Sequence, residues 1–300
     1  MTKSITSLSE DIYAVLDSTQ DHEPSSDLAA EYAMRIGGEF AKATLKRDKP
    51  REKGKLWASD LGKPCMRQHW YKFNMPDSGS GLDGHTKFKF LYGNILEEAV
   101  LYMAEEAGHE VLDAQERVTC DVERTNGPDW VVSGRIDCLL DRHTVDVKST
   151  SSYGYQRYKD GITADNDSFG YRWQLGFYDE FGNFSHASEG KGFVWIDKQN
   201  GHIKYTPCST PDREEILERA RNIADAVESE AVDGITRAYS SEPYGKSGNL
   251  ILPTACSYCD FKKECWKDSN GGNGVRTFAY GHKPIHFVEV KREPKVAEIT

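Results

Sequence analysis

No run in this sequence approaches the roughly 20 apolar residues that a membrane-spanning helix requires. This sets helical membrane proteins aside. The beginning of the chain lacks the basic, then apolar, then small-residue layout of a signal peptide. The expected setting is therefore the cytoplasm, or the host cytoplasm if the chain is phage-encoded. There is no Walker-type G-x-x-x-x-G-K-[ST] loop, which excludes a built-in helicase motor. Internal repeats are missing too. So is an excess of positive charge: 38 Lys and Arg stand against 48 Asp and Glu, a net charge of -10. Nucleic-acid binders are often basic, so this balance counts against that class. It does not exclude it, because carboxylates that hold divalent cations add negative charge and DNA contact depends on local patches.

What is present supports a packed core. Apolar residues make up 38% and aromatic residues 11% of 300 residues, enough for one large domain or a domain with an appended lobe. Residues 1–26 are polar and read as a flexible leader. Residues 27–46 look helical, with Leu28, Tyr32, Ile36 and Phe40 spaced by four. Lys46, Arg47, Lys49, Arg51, Lys53 and Lys55 then form a basic run, either a solvated linker or a phosphate-contacting segment. Pro76 to Gly84 reads as a loop. Residues 88–107 form an expected helix with an apolar stripe at Leu91, Ile95, Leu96, Val100 and Met103. Strand-like runs follow near 110–122, 129–140 and 143–149, the last two separated by a turn at Asp141 to Thr144. Helices are expected over 151–160 and 169–183, strands at 192–197 and 202–205, and a long charged helix over 211–239. Residues 269–274 read as a flexible joint, and Ile285–Val290 as a short strand. This order gives an α/β fold, a mixed α+β sheet flanked by helices.

The segment from Val131 to Thr150 carries the main chemical signal. Side chains alternate along a strand, so Asp146 and Lys148 share one face while Val145 and Val147 turn to the core. The tight turn brings Asp137 alongside Asp146. Two close carboxylates repel unless a proton or a cation lies between them. Oxygen ligands of this kind suit Mg2+ or Mn2+. Such a cation polarises a phosphate and lowers the pKa of a bound water, and Lys148 would orient that water or stabilise developing charge. The plain alternative is an exposed hairpin with a salt bridge. Gly93 and Glu97 lie four apart on one expected helix, Gln174 and Tyr178 four apart on another, so each pair can line the same sheet.

Taken together, G-x-x-x-E, G-x-x-D, D-x-K and Q-x-x-x-Y resemble the RecB-like branch of the PD-(D/E)XK nuclease superfamily, over about residues 57–268. The resemblance implies a restriction-endonuclease-like core. It makes Glu97, Asp137 and Asp146 metal ligands together with the carbonyl of Val147, and Lys148 the catalytic lysine. Gln174 and Tyr178 match the motif that contacts DNA and braces the site. Many cluster-bearing members have His where this chain has Glu97, whereas phage exonucleases of the family have Glu, so the metal preference is open. Glu98 is adjacent, but the spacing from Gly93 favours Glu97.

Seven cysteines is an odd number, and clustered cysteines in a reducing compartment suggest a metal site before disulfides. Cys256, Cys259 and Cys265 form C-x2-C-x5-C, a spacing that lets three thiolates converge. Cys65 is the candidate fourth ligand. Cys120 and Cys138 lie in expected strands, and Cys208 lies near a Pro-containing turn. A four-thiolate zinc site would look similar. One early cysteine in C-x-R and three late ones resemble the iron–sulfur nucleases, such as the AddB nuclease domain and CRISPR adaptation nucleases. That resemblance implies a 4Fe–4S cluster joining the N- and C-terminal segments, with Zn2+ as the alternative.

Arg67, in the C-x-R element, is a candidate phosphate contact or a structural ion pair. Tyr153, Tyr155, Arg157, Tyr158 and Lys159 alternate aromatic and basic residues, which suits unstacked bases and phosphates, or else packs tyrosines against the sheet. The expected layout is a leader over 1–26, an N-terminal helical segment over 27–87 and a nuclease core over 88–240. A cluster segment over 241–268 and a tail over 269–300 follow. The expected function is a metal-dependent DNA exonuclease in recombination, repair or end processing, acting on DNA with a free end or single-stranded. A recombination or CRISPR protein is the expected partner, with no membrane partner. The alternatives are a non-catalytic iron–sulfur DNA-binding module and a CRISPR spacer-adaptation nuclease.

Overall fold

A computed structural model describes residues 3–18, 23–45, 51–81, 84–281 and 283–299. Lys46, Arg47 and Lys49 of the basic run lie outside them. The described residues fall into two compact units. The first draws on Met1–Lys49, Gly54–Lys63 and Asp83–Arg221, the second on Pro50–Lys53, Pro64–Leu82 and Asn222–Thr300. The fold is mixed α/β, as the sequence pattern leads one to expect. Among the described residues no helix is long and apolar enough to cross a membrane.

The helices in chain order are α1 (Leu8–Asp17), α2 (Ser26–Leu45), α3 (Ala58–Leu61), α4 (Met66–Asn74), α5 (Gly84–Glu106), α6 (Ser152–Tyr158), α7 (Tyr171–Phe181) and α8 (Arg213–Glu228). Three single-turn helices follow: α9 (Thr254–Ser257), α10 (Lys262–Cys265) and α11 (Ser269–Gly272). The strands of the first unit are β1 (Lys55–Trp57), β2 (Val111–Leu112), β3 (Arg117–Val122), β4 (Trp130–Arg135), β5 (Cys138–Leu140), β6 (His143–Thr150), β7 (Gly190–Asp197) and β8 (Ile203–Pro207). They make a three-stranded sheet in the order β1-β4-β3 and a five-stranded sheet in the order β2-β5-β6-β7-β8. Within the second, β6 and β7 run parallel, joined through α6 and α7, while the other pairs are antiparallel.

The five-stranded sheet is apolar on both faces, as a sheet with helices on each side must be. On one face Val145 and Val147 of β6 join Val194 and Ile196 of β7, and α1 and α5 supply Leu8, Ile12, Val100 and Leu101. Phe193 and Trp195 lie on the other face with Tyr155 and Tyr158 of α6 and Leu175 of α7. Residue 129–140 is not one strand. It breaks at Ile136 and Asp137, and the chain passes there from one sheet to the other. The hairpin that follows turns on Asp141 and Arg142, both left-handed at φ 46 and 62. Two such residues match the twist of the flanking strands, a geometry that normally favours Asn and Gly. The carboxylate of Asp141 stabilises it by accepting from the Glu110 amide at 3.0 Å and meeting His109 Nδ1 at 2.7 Å.

The first residues differ from a flexible leader. Residues 5–17 form a short 3-10 turn and α1, and Leu8 and Ile12 are fully buried. Leu8 and Ile12 are four apart, so they share a helix face, and that face lies on the sheet core. Buried His109 bridges this helix to the hairpin, with Nε2 at 3.3 Å from Asp11 and Nδ1 on Asp141.

In the second unit, the expected long helix over 211–239 ends at Glu228. Side chains of α4 meet its last carbonyls: Asn74 donates to Val227 O at 2.9 Å and Trp70 Nε1 to Ser229 O at 2.9 Å. The tail holds a sheet rather than one strand. Here β9 (Glu242–Pro243), β10 (Leu250–Ile251), β11 (Arg276–Tyr280), β12 (Lys283–Glu289) and β13 (Glu298–Ile299) pair in the order β13-β11-β12-β10-β9. The expected joint at 269–274 is an ordered bridge. Asn270 donates to Gly274 O and Phe287 O and accepts from the Val290 amide, at 2.7, 3.1 and 3.0 Å.

Truncating a fully buried leucine costs about 2–5 kcal/mol. Leu8→Ala is therefore expected to lower unfolding stability by about 3 kcal/mol in denaturant titration. A change below about 0.5 kcal/mol, the size usual for surface sites, would instead support a loose leader.

Candidate active site

Strand β5 stops at Cys138, but β6 runs on to Thr150. Cys138 pairs with Val145, so the register sets Asp137 opposite Asp146. Beyond that point the Val147 amide has lost its strand partner. The side chain of Asp137 takes over, accepting from Val147 N through Oδ2 at 2.6 Å. The backbone of Asp137 is held in turn, its carbonyl accepting from the Gln115 amide at 3.1 Å.

Asp146 and Lys148 lie on the α7 face of β6, paired in register with Phe193 and Trp195. Asp146 is fully buried. Its Oδ2 meets Lys148 Nζ at 2.6 Å, and its Oδ1 has no hydrogen-bond partner. An ionised oxygen without a partner in the interior is costly and marks a place where a cation is favourable. The Lys148 ammonium also lies over the ring of Tyr171, 5.4 Å from its centre.

Glu97 arrives from α5. That helix comes close to the end of β6 at Gly93, where an added Cβ would sit 3.4 Å from Ser149 Oγ. Glu97 accepts from Gln115 Nε2 at 2.8 Å. Its neighbour Glu98 turns the other way and pairs with Arg35 at 2.8 Å. The step of about 100° between consecutive helical residues thus parts the two acids: Glu97 goes to the sheet end, Glu98 to α2.

The electrostatics follow from burial and crowding. Burial, then the charge on Asp137, raises the Glu97 carboxyl well above its usual range. Asp137 is pushed up to about 7 by burial and by Asp146. Asp146 is raised by burial, which outweighs the opposing pull of Lys148. Burial works against the Lys148 ammonium, yet Asp146 and Asp137 more than compensate and hold it charged. Gln174 and Tyr178 face the same site. Gln174 Nε2 donates to Tyr178 Oη at 3.1 Å. The Tyr178 ring lies on Gly134, where a Cβ would come within 2.7 Å of it, which explains the glycine of G-x-x-D.

Among the described residues no three His, Cys, Asp or Glu side chains stand close enough to hold a metal ion between them. The reason at the sheet end is visible: Asp137 turns to an amide, Asp146 to Lys148 and Glu97 to Gln115. The donor set itself, three carboxylates in one another's field with one partnerless oxygen, fits a hard divalent cation.

Cys65, Cys256, Cys259 and Cys265 all belong to the second unit, near enough for their charges to act on one another. Cys65 caps α4, while Cys256, Cys259 and Cys265 lie on and between α9 and α10. Burial and then the neighbouring thiols, Cys65 among them, raise Cys256 to about 11. Cys259 is pushed up to about 12, chiefly through burial and also by the charges of Cys65, Cys256 and Cys265. Crowded thiols that resist ionisation together are the state that a soft cation relieves. Cys138 and Cys208 are buried in the first unit, and Cys120 is on β3.

Three expected DNA contacts, Tyr155, Arg157 and Arg67, are engaged within the protein. Tyr155 is 6% exposed, stacked with His202, and cannot offer a ring face to a base. Tyr158 is likewise buried against Trp195. Arg157 spends its guanidinium on Asn166 O and Ser168 Oγ, at 2.8 and 3.0 Å. Arg67 donates to Ile235 O at 3.0 Å and to Tyr71 Oη at 3.4 Å, within its own unit. No motif points to Gln115, which braces both Asp137 and Glu97. Its left-handed φ of 60 is a strain that clusters at functional sites.

No protein-family model matches the chain, and no curated protein matches it. Among solved structures, one described as "Crystal structure of SSO0001" is similar over 76% of this chain and 92% of its own, at 13% identity and a TM-score of 0.45.

The raised carboxyls set a pH dependence in chelator. With Asp137 at about 7 when folded and near 4 when unfolded, the folded state holds the extra proton between about pH 4 and 7. Stability of the metal-free protein is expected to fall as pH rises through that window, and Asp137→Asn to flatten the fall. Thermal unfolding in EDTA across the window checks it; a rise with pH would contradict the burial of these acids.

Proposed function

We propose that this chain is a metal-dependent DNA nuclease of the PD-(D/E)XK type, hydrolysing phosphodiester bonds as an exonuclease or end-processing enzyme. The observation that carries the reading is the meeting of Glu97, Asp137, Asp146 and Lys148 at the end of β6, each within the field of the others and with an Asp146 oxygen left without a partner. Buried like charges are unfavourable by themselves. A binding site for a divalent cation gives them a reason to be there.

Glu97, Asp137 and Asp146 would hold Mg2+ or Mn2+, with the Val147 carbonyl as a further oxygen. When bound, the cation supplies polarisation of the scissile phosphate and acidification of the attacking water. Lys148 keeps its charge in this surrounding and presents it where negative charge develops. The Gln174–Tyr178 pair braces the face across from β4 through the contact on Gly134. Cation binding would release the protons that Asp137 and Glu97 hold.

The cysteines of the second unit support a soft-metal centre, read as a 4Fe–4S cluster with Zn2+ as the alternative. Its role is structural: closing the stretch from Cys65 to Cys256 constrains a very long loop of the unfolded chain.

Asp146→Ala and Lys148→Ala are each expected to lower cleavage of end-labelled single- or double-stranded DNA in Mg2+ or Mn2+ on the order of a thousandfold. Folding and DNA binding should be retained. Near wild-type cutting by either variant would end the assignment. Anaerobically purified protein is expected to be brown, with Cys256→Ser bleached and less heat-stable. A colourless preparation with stoichiometric zinc would exclude the cluster.

A further inference from the structure

The loop that enters α7 is built to hold its shape. Asp167 accepts from the Tyr171 and Arg172 amides, both at 2.9 Å, and so caps the helix. The Thr163 amide donates to Asn166 Oδ1 at 2.8 Å, and Arg157 ties Asn166 and Ser168 from α6. Gly170 is left-handed at φ 74, and a Cβ there would meet the Gly62 backbone at 2.1 Å. Both glycines are needed for the two backbones to touch.

This fixed loop carries an exposed ring. Phe169 is 62% exposed. A single exposed phenylalanine is ordinary, but this one is stacked on Tyr171, with ring centres 5.3 Å apart and planes 28° from parallel. Tyr171 in turn contacts Phe193 and Trp195, at 6.3 and 6.2 Å between centres, and its ring carries the Lys148 ammonium. An aromatic path thus leads from solvent to the lysine that meets Asp146. The stack uses part of the Phe169 ring and leaves the rest in water.

We propose that the Phe169–Tyr171 stack is a platform for an unpaired nucleobase, seating a strand so that the adjoining phosphate lies before Lys148. This rests on the nuclease reading above. An aromatic ring next to a fixed cation matches the two features of a nucleotide, a flat π-face and a negative phosphate, in the order in which a strand presents them. A paired base has its faces occupied by its neighbours in the duplex, so the platform selects frayed or single-stranded ends. Every base has a π-face, so it does so without reading sequence. Phe169 is a positioning residue in this account.

The test uses the full chain in EDTA, where nothing is cut, and a single-stranded oligonucleotide bearing 2-aminopurine. Anisotropy reports affinity, and quenching reports stacking. Loss of one base–aromatic stack corresponds to weakening of about 5- to 100-fold. Phe169→Ala is expected to lose that much affinity for the single strand, together with the quenching, while Phe169→Trp retains both. Affinity for a blunt duplex should be the same for wild type and Phe169→Ala. Unchanged single-strand affinity and quenching in Phe169→Ala would overturn the platform, as would an equal loss on the duplex. If wild type still cuts DNA in Mg2+, the nuclease reading survives that failure. If wild type neither binds nor cuts any DNA, both fall.

Discussion

The bond from the Val147 amide to Asp137 marks the place where β6 outruns β5. A strand that extends past its neighbour exposes a backbone donor, and a buried donor must find an acceptor. Here a carboxylate fills that role. The same register that leaves Val147 unpaired sets Asp137 opposite Asp146, so the backbone defect and the crowding of acids have one cause. The break at Ile136 and Asp137, where the chain changes sheet, makes room for Glu97 and Gln115 to reach the gap.

The rest of the first unit stabilises that arrangement. Helix α5 covers one face of the sheet with Val100 and Leu101, and α7 borders the other. A glycine sets one close approach: Gly134 lets Tyr178 lie on β4. The hairpin turn that fixes the register is anchored through Asp141 to His109, and through His109 to Asp11 on α1. The first helix therefore takes part in holding that register, although it carries none of the candidate chemistry.

Much of this was legible in the residues. The alternation of Val145, Asp146, Val147 and Lys148 gave the two faces of β6, and the four-residue spacings gave the inward sides of α5 and α7. The N-terminal helix was missed because the polar residues on either side of it hide a short apolar stretch that includes Leu8 and Ile12. The strand break was missed because 129–140 is strand-like on both sides of Ile136 and Asp137, and period alone does not show where a strand changes partners. Tyr155 and Arg157 looked like a DNA-contacting pair because alternation does not reveal that α6 packs its tyrosines on Trp195 and His202. The C-terminal sheet escaped because β9, β10 and β13 span two residues each, too short for any periodic signal.

Crystals soaked in Mn2+ test directly whether a cation bridges the acids of α5, the β4–β5 junction and β6. Anomalous density is expected within coordinating reach of Glu97, Asp137 and Asp146, with Lys148 displaced from Asp146. Soaked crystals with no such peak, or with Mn2+ bound only at other surfaces, would contradict that bridge.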